Sequence, residues 1–420
     1  MLVKSYIKKL CEKAKKASRA LALLDQKAKD RALIAMARAL CQNASYIARE
    51  NKKDIDSARK KGMSKALVDR LLLSHAGINA MADSLLDIAR LKDPVGGIIE
   101  TRSRPNGLLI KKVRVPIGVI LIIYESRPNV TSDCIGLCLK SGNACILRGG
   151  SVAANSNIAI FNILDKTAAK YGLPKGAVSI IKDTDRRIVN ELLTQGALID
   201  LVIPRGGESL IREVSKRSRI PVIKHYKGVC HTYVDETADL SMAQDICFNA
   251  KVQRPGVCNA METMLVNKKI ARKFLPSMVK RFIDAGVEIR GTEEVRRMCG
   301  DMKIRQAAEA DWYAEYLDLI LSVKIVKDAD EAIRHIMKYG SYHSDAIVTE
   351  DTDSAAKFLN EVDSACVYVN ASTRFTDGGQ FGKGAEIGIS TDKIHARGPM
   401  GLEELTSYKY IIYGTGQVRR

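Results

Sequence analysis

The sequence predicts an α/β protein with two parallel-sheet domains and a β-hairpin arm, on three observations. From Gly118 onward, short β-branched runs alternate with helical segments, which is typical of a parallel sheet. A second series of this kind begins near Val229, and a chain of 420 residues is too long for one compact core. Ahead of the first series, Arg104-Pro-Asn-Gly107 separates two extended segments and indicates a hairpin.

Residues 2 to about 91 predict several amphipathic helices. This stretch is rich in Ala, Leu, Lys and Arg, and apolar residues recur at spacings of three and four, as at Leu33, Met36 and Leu40. Asp93-Pro94 then ends the helical pattern. The hairpin predicted over about 98–116 has too little apolar surface to be stable alone, so we expect it to pack against another subunit or domain.

The predicted strands fall into two series. The first comprises 119–123, 144–147, 178–181 and 201–203. The second comprises 264–266, 321–326, 346–348 and 367–369, with helices between them such as 328–338. Two α/β domains follow from this pattern.

The chain is basic, with 67 Lys and Arg against 48 Asp and Glu, a formal net charge of +19. Composition alone would permit a nucleic-acid or anionic-membrane partner. The basic residues are scattered among acids, however, and seven Phe and one Trp offer little stacking surface. We therefore expect no nucleic-acid partner, and a positive potential that steers anionic substrates fits equally well.

The cysteine pattern and the hydropathy favour a cytoplasmic protein. Ten cysteines lack paired spacing, which indicates a reducing compartment. The first residues are too charged for a signal peptide, and the longest apolar run, Val115 to Tyr124, is far below the roughly 20 residues of a membrane span. Cys134 and Cys138 would share a helix face and could form half of a metal site. No matching His or Cys pair follows, so core packing is favoured and no metal is expected.

Cys258 is the candidate nucleophile. Pro255-Gly256 sets a turn directly before it, so the thiol is expected at a loop tip. A thiol attacks as the thiolate, which the positive charge of Arg254, four residues earlier, would favour. On spacing alone, a buried structural cysteine is an equally good interpretation.

Three long strings carry a resemblance: Tyr124 to Thr131, Val252 to Thr263, and Tyr368 to Gly382. They resemble the aldehyde dehydrogenase superfamily and, within it, the reductases of glutamyl phosphate, over nearly the whole chain. The resemblance implies an aldehyde-dehydrogenase-like fold. Its expected parts are N-terminal helices with an NADPH-binding domain over 1–227, a catalytic domain over 228–400, and a C-terminal strand over 401–420 that completes the arm, with Tyr408–Tyr413 as the candidate.

The function implied by the resemblance is NADPH-dependent reduction of L-glutamyl 5-phosphate to L-glutamate 5-semialdehyde, with release of phosphate, through a thioester on Cys258. This is the second step of proline biosynthesis from glutamate. The arm implies a homo-oligomer, a dimer or tetramer, and functional coupling to glutamate 5-kinase is a further expected partnership. The alternatives are reduction of another acyl phosphate or acyl thioester, and a basic binding protein that retains the α/β core without activity.

The expected cofactor site lies on loops that follow predicted strands. A glycine loop between a strand and a helix can bind a phosphate or can be an ordinary turn. The resemblance assigns the loop Pro204, Arg205, Gly206 and Gly207 to the dinucleotide. It places Arg148, with Ser151 nearby, where a 2′-phosphate would lie, and an arginine there suits NADPH. Glu315 would hold the nicotinamide ribose, although its motif is degenerate.

The catalytic and substrate residues are assigned in the same way. The Asn129 amide would form an oxyanion hole with the backbone N–H of Cys258, whereas Pro-Asn by itself is only a turn dipeptide. His225 stands where hydrolytic relatives have a glutamate base, and a loop histidine without catalytic role is the favoured interpretation. The expected substrate-binding residues are Arg127, Arg254, Asn370, Ser372, Thr373 and Arg374.

Overall fold

The computed structural model describes residues 2–183 and 185–419. Met1, Thr184 and Arg420, which the predicted domain ranges include, lie outside the described residues. The chain forms two compact units. The first comprises 1–224, 382–388 and 400–420, and the second comprises 225–381 and 389–399.

The first unit begins with the predicted helices. They are α1 (Leu2–Leu21), α2 (Gln26–Gln42), α3 (Ala44–Lys60), α4 (Lys65–Leu71) and α5 (His75–Arg90). Side-chain caps define where several begin, because the Asp25, Ser64 and Ser74 side chains each accept a hydrogen bond from an amide in the first turn. The apolar stripe of α2 is buried as its spacing predicted.

A four-stranded parallel sheet with the order β5-β4-β3-β6 forms the centre of the first unit. After β1 (Ile98–Ser103) and β2 (Leu109–Pro116), its elements are β3 (Val119–Tyr124), α6 (Asn129–Lys140), β4 (Ala144–Arg148), α7 (Ala154–Lys170), β5 (Val178–Ile180), α8 (Arg186–Leu192), β6 (Leu201–Arg205) and α9 (Glu208–Arg217). Every residue of β3 is buried, since helices cover both faces of such a sheet. Cys134 and Cys138 are buried on α6, in agreement with core packing.

The second unit contains a seven-stranded parallel sheet with the order β10-β9-β11-β8-β7-β12-β13. Its elements are β7 (Cys230–Val234), α10 (Leu240–Val252), β8 (Met261–Asn267), α11 (Lys268–Asp284), β9 (Glu288–Gly291), α12 (Glu293–Cys299), β10 (Ile304–Gln306), α13 (Glu309–Trp312), β11 (Ile320–Val326), α14 (Ala329–Tyr339), β12 (Ser344–Val348), α15 (Thr352–Glu361) and β13 (Cys366–Val369). The two short strands β14 (Gly388–Ser390) and β15 (Gly398–Met400) pair with each other.

The last strand, β16 (Thr406–Tyr413), pairs antiparallel with β2, which pairs antiparallel with β1. The predicted hairpin and its completion by a C-terminal strand are therefore confirmed. Outward-facing residues of β16 are exposed, including Tyr408, Tyr410 and Ile412.

The structure departs from the sequence-based expectation in several places, since the short strands β14 and β15 were also not predicted. Strands β9 and β10 were not predicted, because they are short, partly charged and at one edge of the sheet. Residues 382–388 belong to the first unit, although the predicted catalytic domain of 228–400 includes them. Lys383 forms an ion pair with Glu404, and the Gly384 backbone lies against Leu91, so this segment packs within the first unit.

Candidate active site

Cys258 lies in the loop between α10 and β8, as the Pro-Gly turn predicted. Its side chain is intermediate in exposure, and the Ala260 amide donates to the Val257 carbonyl across a turn that contains it (3.1 Å). Most of the other cysteines are buried. The thiol is therefore presented from a structured turn and is neither fully buried nor on a mobile tail.

The backbone of Cys258 is in close contact with the chain that leads into β7. A Cβ built on Gly228 would lie 1.8 Å from the Cys258 carbonyl oxygen, so only glycine fits at this position. The Cys230 thiol donates to the same carbonyl at 3.2 Å. These two contacts hold the Cys258 carbonyl in place.

A second brace comes from the segment that follows β13. Thr373 Oγ1 donates to the Asn259 carbonyl (2.8 Å), and Asn259 Nδ2 donates to the Thr376 carbonyl (2.7 Å). Arg374 Nε donates to Gln253 Oε1 (3.0 Å), and its Nη1 donates to Asn259 Oδ1. One guanidinium thus spans the Cys258 loop from its start to the residue after the thiol.

Arg374 is also a positive charge near Cys258. Burial, followed by the charge of Arg254, lowers the pKa of Arg374, while Asp377 and Cys258 act in the opposite direction. A cation near a thiol stabilises the thiolate. The structure therefore adds Arg374 as a second cation that could stabilise the thiolate. Arg254, the cation predicted from the sequence, is exposed.

Asn370 and Ser372, which were also expected to bind substrate, do not contact the Cys258 loop in the way that Thr373 and Arg374 do. Asn370 accepts from the Thr349 amide and donates to the Thr349 carbonyl (both 2.9 Å), beyond the carboxyl ends of β12 and β13. Cys258, by contrast, precedes the amino end of β8. Ser372 caps a 3₁₀ turn by accepting from the Arg374 amide (3.3 Å). The Thr373 and Arg374 side chains thus contact the Cys258 loop, and the Asn370 amide is occupied elsewhere.

Glu315 lies next to this loop within the second unit. Its Oε1 accepts from the Gly228 amide at 2.8 Å, and Gly228 is the residue packed on the Cys258 carbonyl. Although its motif is degenerate, Glu315 is therefore linked to Cys258 through a single residue, Gly228.

A buried polar chain begins at Cys230, whose thiol contacts the Cys258 carbonyl and lies 3.7 Å from His343 Nδ1. His343 Nδ1 is 2.9 Å from Ser344 Oγ, which is 2.6 Å from Thr376 Oγ1. Burial, with a smaller effect of His225, lowers the pKa of His343 to about 3, so His343 is neutral. The His225 ring lies edge-on to it with centroids 5.9 Å apart.

In the first unit, the expected catalytic residue Asn129 and the expected cofactor residues lie on three loops at the carboxyl end of the sheet. β3, β4 and β6 are adjacent parallel strands, and Asn129, Arg148 and Gly206 each lie at or beyond the carboxyl end of one of them. Ligands of open α/β sheets bind at this end. The tertiary structure thus brings these sequence-distant residues to one end of the sheet.

The loop before α9 contacts an acidic residue that sequence reasoning missed. Glu125 Oε2 accepts from the Gly207 amide at 2.9 Å, and a Cβ on Gly206 would lie 2.5 Å from the same oxygen. Backbone amides at the start of a helix bind anions. Here one of these amides already donates to the Glu125 carboxylate. The loop can therefore accept an anionic group, which a dinucleotide pyrophosphate would supply.

Arg148 is half-buried at the end of β4, and its Nη1 donates to the Gly149 carbonyl (3.3 Å). Burial first, and the charge of Arg186 second, lower its pKa, whereas Asp183 raises it. Arg186 is therefore within electrostatic range of Arg148, and two nearby guanidinium groups attract anions. Ser151 is exposed at the start of the next turn, and Arg127 is exposed on the loop after β3.

Asn129 begins α6 and is oriented by its own helix. Its Nδ2 donates to Asp133 Oδ2 (3.0 Å), and Ser84 Oγ donates to Asp133 Oδ1 (3.0 Å). Burial raises the pKa of Asp133 to about 6, with Ser84 and Asn129 opposing the shift. Asn129 and Asp133 are four residues apart, a spacing that places two side chains on one helix face. That Asp133 orients the Asn129 amide was not inferred from this spacing.

The described residues, 2–183 and 185–419, also bear on metal and membrane binding. Among them, no group of three or more His, Cys, Asp or Glu side chains could hold a metal ion. No helix in that part of the chain is both long enough and apolar enough to cross a membrane.

Comparison with known proteins gives consistent results. The aldehyde dehydrogenase family profile matches residues 3–295. The gamma-glutamyl phosphate reductase of Caldanaerobacter subterraneus subsp. tengcongensis is 60% identical over 409 residues, 97% of this chain and 98% of its own. That of Thermodesulfovibrio yellowstonii is 55% identical over 420 residues, the full length of both. The crystal structure of the Thermotoga maritima gamma-glutamyl phosphate reductase matches with a TM-score of 0.96 and 47% identity, covering 99% of this chain and 100% of that one.

Proposed function

The chain belongs to the aldehyde dehydrogenase family, and we propose that it reduces L-glutamyl 5-phosphate to L-glutamate 5-semialdehyde with release of phosphate. This reaction is the second step of proline biosynthesis. Curated relatives that match over their full lengths are gamma-glutamyl phosphate reductases. A single structural observation carries the proposal: a partly exposed thiol on a turn whose two ends are braced by Arg374.

In the proposed reaction, the Cys258 thiolate attacks the acyl carbon of the substrate, the C–O bond to phosphate breaks, and phosphate leaves with that electron pair. Arg374 and Arg254 supply positive charge that favours the thiolate and attracts the anionic substrate. The Asn129 amide and the Cys258 N–H would stabilise the oxyanion of the tetrahedral intermediate. Ser372 and Thr373 would shape the loop that faces the substrate, and Arg127 remains a proposed contact, whereas the Asn370 amide pairs with the Thr349 backbone and would have to leave it to bind substrate.

The cofactor is a nicotinamide dinucleotide, as in the family, and we propose NADPH. When bound, it supplies the hydride that converts the thioester to the thiohemiacetal of the product. Arg148, with Arg186 within electrostatic range, would hold the 2′-phosphate, and Ser151 lies on the same turn. Arg205, Gly206 and Gly207 after Pro204 would take the pyrophosphate in place of Glu125, and Glu315 would contact the nicotinamide ribose.

The assembly and location are also proposals. The exposed aromatic residues of β16 support a homo-oligomer built through the antiparallel arm. Coupling to glutamate 5-kinase would protect a labile acyl phosphate. The cysteine pattern supports a cytoplasmic location.

The test is phosphate-dependent reduction of NADP⁺ by glutamate 5-semialdehyde, the reverse reaction. We expect activity in the wild type and a loss of several orders of magnitude in Cys258→Ala, because removal of a covalent nucleophile costs about that much. NADPH binding should persist in the variant. Activity with another acyl donor but none with glutamate 5-semialdehyde would contradict the substrate, and near-normal turnover in the variant would contradict the nucleophile.

A further inference from the structure

A fully buried ion pair joins the two ends of the Cys258 loop. Lys251 lies in the last turn of α10 and Glu262 is the second residue of β8. Lys251 Nζ and Glu262 Oε2 are 2.6 Å apart, and both side chains are 0% exposed. The loop between α10 and β8, residues 253–260, contains the nucleophile. Neither residue was singled out by sequence reasoning.

Stability alone does not explain this pair. Removing two charges from water costs more than their attraction usually recovers, so an apolar pair of similar volume is often at least as stable. Burial disfavours the charged form of both side chains: it lowers the pKa of Lys251 and raises that of Glu262 to about 7. The surrounding titratable groups are Glu315, which raises the pKa of Glu262, and Asp318 and Cys230, which raise that of Lys251.

The second oxygen of Glu262 reaches a different loop. Glu262 Oε1 accepts from the Leu317 amide at 3.2 Å. Leu317 has a φ of 54°, a left-handed conformation that a leucine rarely adopts unless its surroundings impose it. Leu317 lies two residues after Glu315, and its carbonyl oxygen would be the nearest neighbour, at 3.6 Å, of a Cβ built on Gly256.

We propose that Glu262 and Lys251 are positioning residues that hold the Cys258 loop in register with the loop of Glu315. Lys251 fixes the end of α10, Glu262 fixes the start of β8, and the Leu317 amide ties the Glu315 loop to the same carboxylate. The thiol and the carboxylate expected at the cofactor ribose are thereby kept at a constant separation. The inference rests on the proposed function of Cys258 and Glu315.

The test separates positioning from stability with a neutral double variant. Lys251→Met/Glu262→Gln leaves no unpaired buried charge, so its unfolding midpoint should stay near that of the wild type. Hydrogen exchange of the 253–260 amides should nevertheless become roughly tenfold faster or more, because the local opening is less costly. In the reverse reaction kcat should fall roughly 10- to 100-fold, with the KM for glutamate 5-semialdehyde little changed.

A second variant isolates the amide contact. The Glu262→Gln substitution retains a side-chain oxygen for the Leu317 amide, whereas Lys251→Met/Glu262→Leu does not. Only the leucine variant should weaken NADPH binding, measured by titration, and accelerate exchange of the 315–319 amides. Should the neutral double variant not fold, Lys251→Met/Glu262→Leu, which also leaves no unpaired buried charge, gives the comparison for the 253–260 amides.

A matched control exists in the first unit. Lys29 and Asp93 form a pair of 2.7 Å with side chains 0% and 8% exposed, and the other Asp93 oxygen accepts from the Val95 amide. Lys29→Met/Asp93→Asn should leave kcat and exchange of the 253–260 amides unchanged. Wild-type exchange and kcat in Lys251→Met/Glu262→Gln would overturn the inference. If the wild type lacks the reverse reaction, the proposed function fails, while the exchange comparison still decides whether the pair holds the loop.

Discussion

Replacing Asp133 by Asn should increase the free energy of unfolding at neutral pH and at the same time lower kcat. Asp133 accepts from Asn129 Nδ2 and Ser84 Oγ, and burial still raises its pKa from 3.8 to about 6. The folded state therefore binds this proton more tightly than the unfolded state does. The sign follows: the free energy of unfolding decreases as pH rises from about 4 to about 6, and this contribution is constant above that range.

The magnitude follows from the shift. A pKa raised from 3.8 to about 6 corresponds to at most about 3 kcal/mol of destabilisation by the charged form at pH 7 and above, and the partial exposure of Asp133 reduces it. Asn keeps the shape and cannot ionise, so Asp133→Asn should gain up to about 3 kcal/mol there and little near pH 4. Because the amide of Asn129 is less firmly oriented, kcat should fall, by less than the roughly 10²- to 10³-fold expected when an oxyanion donor is removed.

Urea unfolding of the two proteins at intervals between about pH 4.5 and pH 8 measures this difference. Asp363→Asn is the control of opposite sign, because Lys393 and Arg397 hold the pKa of Asp363 below its usual value. That control should lose stability above pH 4. A difference between wild type and Asp133→Asn that does not change with pH, or a variant less stable at pH 8, would refute the reasoning.

Two further predictions concern the cofactor and the acyl-enzyme. Arg148→Ala should reduce the preference for NADPH over NADH by roughly 10- to 150-fold, since one charge-assisted contact is worth about 1.5 to 3 kcal/mol; an unchanged ratio of specificity constants rules the contact out. Because His225 stands where hydrolytic relatives have a glutamate, glutamyl phosphate without NADPH should release about one phosphate per site and then little more, as general-base assistance is worth about 10² to 10⁴ in rate. Subtraction of a Cys258→Ala control removes spontaneous cyclisation, and steady accumulation of glutamate at the rate of reduction would contradict this prediction.

Much of the fold could be predicted from the sequence because its signals are local. The run that became β3 is apolar throughout, as a strand buried on both faces must be, and so is the 264–266 part of β8. The turn residues at 104–107 predicted the hairpin, and Pro255-Gly256 predicted the loop that carries Cys258. β9 and β10 gave no such signal, since three or four residues with charges do not differ from a loop.

The contacts that define the candidate site depend on tertiary structure. Asn259 meets Thr376 across 117 positions of sequence, and Gly228 meets Glu315 across 87. The order of strands in the sheet decides these neighbours, and no local periodicity encodes that order. The sequence by itself determined the helices, the main strands and the turn of the nucleophile. Only the tertiary structure decided which side chains brace that turn, because a hydrogen bond forms between residues that the packed sheets bring together, whatever their separation along the chain.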